Sequence, residues 1–231
     1  GSNKIVCKYP SLYSISSDYE SSALRYVVEN VAEAFANKNE WYLDRDEGKL
    51  YYIPRNSEQT PENISAYLPV SERIFDIKGS IEAPAKNIYI KDFEIAYTRG
   101  DCKWRPRKDT YGDDTVYACC GQSVNRGRAT VEMTFAENCS LENCHIHGIG
   151  VHGIRLYDGC KNIRICSNKI EDVGAGGIVS GGASLGEDER RYNGNNLIFN
   201  NDIKSIGRKY ICGCGILICH SFNNVISHNE I

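Results

Sequence analysis

The sequence predicts an all-β protein, a right-handed parallel β-helix or solenoid preceded by a small β-rich region, and three observations carry that expectation. Four segments repeat one pattern: 138–146, 162–170, 195–203 and 223–231 each place an apolar stripe ahead of Asn (Cys144 in the first), any residue, then Ile. Their closing isoleucines, Ile146, Ile170, Ile203 and Ile231, are spaced 24, 33 and 28 residues apart. A second apolar patch follows eight residues later, Ile154 after Ile146 and Ile178 after Ile170, which describes short strands and tight turns stacked in coils. High glycine and tyrosine counts (21 and 15) beside a single methionine fit strands better than long helices.

Residues 1–79 do not follow this period. Gly1 and Ser2 read as an expression-tag remnant, so localisation stays open, with a secreted or periplasmic setting favoured. Ser22 to Phe35 offers a short helix. Glu40 to Pro54 gives a hairpin of two aromatic-rich strands turning at Glu47-Gly48, and Arg55 to Asn63 reads as a loop. Ile64 to Ile77 supplies further strand material, and Gly79 marks entry into the coils, 80–231. An early copy of the repeat, Asn87 to Ile95, keeps the stripe. Between Tyr97 and Thr130 lies a polar insertion with Trp104 and Asp113-Asp114, a solvated excursion or a lip over a groove.

Within the repeats, Asn168, Asn201 and Asn229 fall at one corner, where stacked amides bond each other and the turn backbone. A coil longer than 24 residues must eject its surplus as a loop, since strands cannot lengthen without losing register. The 33-residue coil puts about nine extra residues within Gly181 to Gly194, with Glu187, Asp188, Glu189, Arg190, Arg191 and Tyr192; a smaller surplus before Ile216 carries Arg208, Lys209 and Tyr210.

A formal charge of −3 provides no basic field for nucleic acid, and no apolar run is long enough to cross a bilayer, so neither nucleic acid nor membrane is an expected partner. The 11 cysteines are odd in number and mostly lie in glycine-spaced apolar runs, which suits reduced, buried stacking residues. Cys212-Gly-Cys214 and Cys119-Cys120 lack paired zinc-ligand spacing, so no metal or cofactor is expected.

The hairpin Glu40-Trp-Tyr-Leu-Asp-Arg45 through Gly48-Lys-Leu-Tyr-Tyr-Ile-Pro54, with Ile88 to Thr98 and Asp172-Val-Gly-Ala-Gly-Gly-Ile178, resembles the right-handed β-helix glycoside hydrolases of the family 141 kind. The resemblance runs from about residue 24 to the end. It implies a bacterial polysaccharide-degrading enzyme acting on plant-type or host glycans, with fucosidase and xylanase activities in the family, and coils beyond Ile231. An uncapped last coil would expose strand edges suited to self-association.

Glycoside hydrolysis uses two carboxyl groups. Asp172 matches the aspartate of the family motif and precedes Gly174-Ala-Gly-Gly177, whose small residues admit a sugar; a turn aspartate is the competing role. In register it meets Gly148 and Ser205, so its partner must come from a loop, and Glu187, after Gly186, is the candidate general acid. Substrate-binding candidates are His152, which aligns with Gly176, Arg208, Tyr192, and Glu171, which aligns with His147 and Lys204. Two other classes stay open: a polysaccharide lyase or epimerase using Arg208 and Lys209, and a non-catalytic carbohydrate-binding β-helix. All three take an oligo- or polysaccharide as partner.

Overall fold

The computed structural model describes residues 28–100, 103–104, 116–117, 123–124, 127–182 and 186–231. They form two compact units, one ending at Tyr67 and one beginning at Leu68. In the first, β1 (Trp41–Asp44) and β2 (Lys49–Tyr52) pair antiparallel with Trp41 opposite Tyr52, the hairpin expected from sequence. Its turn is fixed by Asp44, whose Oδ1 accepts the amides of Asp46 at 3.0 Å and Glu47 at 2.9 Å, and by Gly48 at φ +65°. The expected helix is corrected over its described part, 28–35, which holds one 3₁₀ turn, Ala32–Ala34. Asn30 sits at φ 58° with its side chain bonded to both backbone groups of Leu43, an alternative to helical hydrogen bonding.

The second unit is built from three parallel sheets. Sheet I orders β3 (Phe75–Lys78), β9 (Ala129–Thr134), β13 (His152–Leu156), β16 (Ile178–Ser180) and β20 (Ile216–Ile218). Sheet II orders β6 (Glu94–Thr98), β12 (His145–Ile149), β15 (Lys169–Val173) and β19 (Asp202–Lys204). Sheet III orders β5 (Tyr89–Lys91), β11 (Ser140–Glu142), β14 (Arg164–Cys166), β18 (Leu197–Phe199) and β22 (Val225–Ser227). Small two-stranded pairs complete the set: β4 (Ala85–Lys86) with β10 (Ala136–Glu137), β17 (Asn193–Gly194) with β21 (Ser221–Phe222), and β7 (Lys103–Trp104) with β8 (Val116–Tyr117). Each circuit of the chain passes through sheets III, II and I in turn, so each strand pairs with its counterpart one circuit away. Asp113 and Asp114 lie outside the described residues. Of the strand material expected over 64–77, only β3 is strand, and it pairs with β9 in sheet I.

Register and burial follow the isoleucine repeat. Ile95, Ile146, Ile170 and Ile203 form one paired column on sheet II, each 2% exposed or less. Ile90, Leu141, Ile165 and Ile198 form a second on sheet III. Ile231, expected as a column member, is 71% exposed; it follows the Asp202–Glu230 bridge, and no described strand lies on its far side. Met133, on β9, is wholly buried. Cys139, Cys144, Cys160 and Cys166 are free, buried thiols, and burial pushes Cys160 up to about 12. The asparagine ladder forms as expected: Asn168 donates to Asn201 at 3.0 Å and Asn201 to Asn229 at 2.9 Å, while Asn201 also donates to Ile165 O. Among the described residues no helix is long and apolar enough to cross a membrane.

Candidate functional site

Asp172 sits in a corner row. Tyr97, Gly148, Asp172 and Ser205 occupy matching positions on successive strands of sheet II, with φ of 60°, 61°, 53° and 50°. Every circuit therefore turns on a left-handed residue here, and the backbone of Asp172 is architectural rather than specially strained. Gly148 is required because the Tyr97 ring lies over it: a Cβ would stand 2.9 Å from Tyr97 Cδ1. The Asp172 side chain is 64% exposed, and Arg208 Nε stands 3.6 Å from its Oδ1. Arg208 and Lys209 are brought there by backbone bonds to Val173 O (3.1 Å) and Gly174 O (2.9 Å). These residues line a shallow cleft of about 270 Å³ with Thr98, Gly148 and Gly150, in which Asp172 is the one carboxylate among the lining residues.

The other expected site residues lie elsewhere. His152 is corrected from a substrate contact to an interior residue: it is 0% exposed, and its Nδ1 accepts the Gly176 amide at 3.1 Å. Glu187 is bound by Arg191, which also binds Asp158 after β13. Asp172 precedes β16 and Glu187 follows it, so the strand itself, roughly 10 Å long, separates the two corners. Tyr192 joins the Glu187 loop by accepting the Gly186 amide at 2.9 Å. Glu171 points outward from sheet II, where hydrogen bonds from Lys169 and His145 hold its carboxyl down to about 2.

A second cleft, of about 290 Å³, opens on the outer face of sheet I and is lined by Arg73, Asp76, Arg128, Glu132, Tyr157 and Asp158, with Lys78 and Thr134. Alternation on β9 turns Val131 and Met133 inward and Glu132 outward, opposite Asp76 on β3. Glu132 is 1% exposed yet fully partnered: Arg73 Nη1 at 2.9 Å, Arg128 Nη1 at 3.2 Å, the Ala129 amide at 2.9 Å and the Tyr157 hydroxyl at 3.3 Å. Two guanidinium groups, a backbone amide and a phenol hydroxyl make it a fixed, fully hydrogen-bonded anchor. Asp76 Oδ2 meets the same Arg73 nitrogen at 2.6 Å, and its side chain is 38% exposed.

Burial raises the pKa of Tyr157, so its phenol remains a hydrogen-bond donor at neutral pH. The Arg155 guanidinium lies 4.4 Å from the Tyr157 ring centre. Its Nε is buried with no hydrogen-bond partner among the described residues. Sequence reasoning missed this cleft because its residues come from 73–76, 128–132 and 157–158, on either side of the insertion. The available signal was alternation: Phe75-Asp-Ile-Lys78 and Val131-Glu-Met-Thr134 share the apolar-in, polar-out pattern of one stack.

No protein-family model and no curated protein matches the chain. A solved structure described as "Glycoside hydrolase" matches 82% of this chain with a TM-score of 0.66 at 19% identity, over 36% of its own length. The chain thus spans about a third of that protein. At this identity the likeness is one of fold: an all-β architecture of parallel sheets, shared with a glycoside hydrolase.

Proposed function

We propose that the chain is a right-handed parallel β-helix of the glycoside-hydrolase kind, which holds an oligo- or polysaccharide against the outer face of sheet I. The observation that carries this reading is the meeting of two carboxylates on one nitrogen: Asp76 and Glu132 both bind Arg73 Nη1, at 2.6 and 2.9 Å. Glu132, 1% exposed and held by Arg73 and Arg128, is the scaffold of this pair, and the reacting carboxyl is Asp76. Asp76 is the member that reaches solvent and sugar. Glu132 fixes Arg73 beneath it, and Arg73 and Arg128 supply donors for hydroxyl or carboxylate oxygens. The fold shared with a glycoside hydrolase supports the same reading. Glu187 and Tyr192 belong to the loop that Arg191 ties to Asp158, at the edge of this cleft. Asp172 with Arg208 is then a second, outlying sugar contact beside the exposed Tyr97 ring.

The arginines also suit a uronate, which keeps a lyase as the second reading. Product analysis on a polysaccharide panel separates them: hydrolysis yields new reducing ends without near-ultraviolet absorbance, whereas a lyase yields unsaturated uronates that absorb. Asp76→Asn is expected to lower turnover by orders of magnitude with little change in melting temperature, because an amide neither donates nor accepts a proton as a carboxyl does. Undiminished turnover in this variant would remove the sheet I cleft from the mechanism.

A further inference from the structure

On the outer face of sheet II, away from the sheet I cleft, three metal-ligating side chains converge. His145 and His147 alternate on β12 and so share one face, and Glu94 on β6 stands opposite His145 in register. The imidazole rings are 4.4 Å apart between centres and tilted by 31°. His147 Nε2 lies 2.8 Å from Glu94 Oε1, and one ligand atom from each of the three residues lies within 4.8 Å of the others. We infer that Glu94, His145 and His147 form a binding site for a divalent transition-metal ion of the zinc class, a site independent of the proposed sugar chemistry.

The chemistry of the donors sets the class. Two imidazole nitrogens and one carboxylate oxygen suit zinc, cobalt, nickel or copper, whereas calcium and magnesium prefer sets made of oxygen alone. Zinc takes such ligands at about 2.0–2.2 Å, so closing the triangle on one ion moves each ligand atom by less than about 1 Å. A second carboxylate of the neighbourhood, Glu171, is engaged by Lys169 and stands 3.8 Å from the Lys204 ammonium. Glu171 also stands 2.8 Å from His145 Nε2, a contact that an ion bound through that nitrogen would displace while the lysines continue to hold the carboxylate. Three protein ligands leave a coordination position open to water. Geometry also gives the ion a structural effect, since it would join β6 to β12, neighbouring strands of sheet II that are far apart in the sequence.

Zinc chloride is the probe. Calorimetric titration of the intact protein is compared with His145→Gln/His147→Gln and, separately, with Glu94→Gln, with the cysteines and remaining histidines common to all. The wild type is expected to bind one more equivalent than the double variant, and Glu94→Gln to weaken that equivalent at least about tenfold. Zinc should raise the wild-type melting temperature through binding to the folded state, and the effect should fade on acidification as protons compete for the imidazoles. Cobalt chloride should give a visible absorption band absent from the double variant. Identical zinc isotherms for the wild type and Glu94→Gln would overturn the site and leave the cluster as a ladder of surface ion pairs; with its side chain 70% exposed, Glu94→Gln carries this outcome even if the double variant fails to fold.

Discussion

Glu171 accepts a hydrogen bond from Lys169 and stands 2.8 Å from His145 Nε2, contacts that hold its pKa near 2 against an ordinary 4.5. A carboxyl with a lowered folded-state pKa contributes stability that is complete above the unfolded value and is lost as pH falls through the folded one. The window is therefore from about 4.5 down to about 2. Across it, the melting temperature of Glu171→Gln should fall less steeply with acid than that of the wild type; parallel curves would show that the contacts do not persist in solution. At this scale the sequence was legible where a role depends on register. Glu171 aligned with His147 and Lys204 as expected, and Asp172 with Gly148 and Ser205. It was not legible where a role depends on which way a side chain faces, as His152 shows: its position opposite Gly176 was readable, its complete burial was not.

Between sheets III and II, the asparagine ladder performs the work that a hydrogen-bonded strand does elsewhere. Asn201 Oδ1 accepts the backbone amide of Asn168 at 3.0 Å and its Nδ2 donates to Ile165 O at 2.9 Å, so one buried side chain satisfies the turn of the previous circuit. Asn201→Ala would leave that amide and carbonyl unpaired, and chemical denaturation should show a loss of roughly 1–3 kcal/mol. A loss confined to a few tenths would mean that water replaces the amide. The ladder was readable because its members recur at a fixed offset before the isoleucine column. The sheet I cleft was not, because Arg73, Asp76, Glu132 and Tyr157 reach each other only through the β3, β9 and β13 pairings, which span an insertion that breaks the period.

For the second unit as a whole, stability lies in columns rather than in a centre. Ile170 pairs with Ile146 on one side and Ile203 on the other, all three at 1% exposure or less. Ile170→Ala removes contacts in two interfaces at once and should cost about 2–5 kcal/mol. The same change at Ile226, 46% exposed on β22, should cost far less, and equal losses at the two positions would contradict the column description. Met133 gives this architecture a built-in chemical clock. It is the sole methionine of the chain and its sulfur is sealed under β9, so peroxide can convert it to the sulfoxide only while the stack is open. The rate at which intact-protein mass gains that oxygen, followed at peptide resolution, reports how often the interior meets solvent, and strengthening the stack should slow it in proportion.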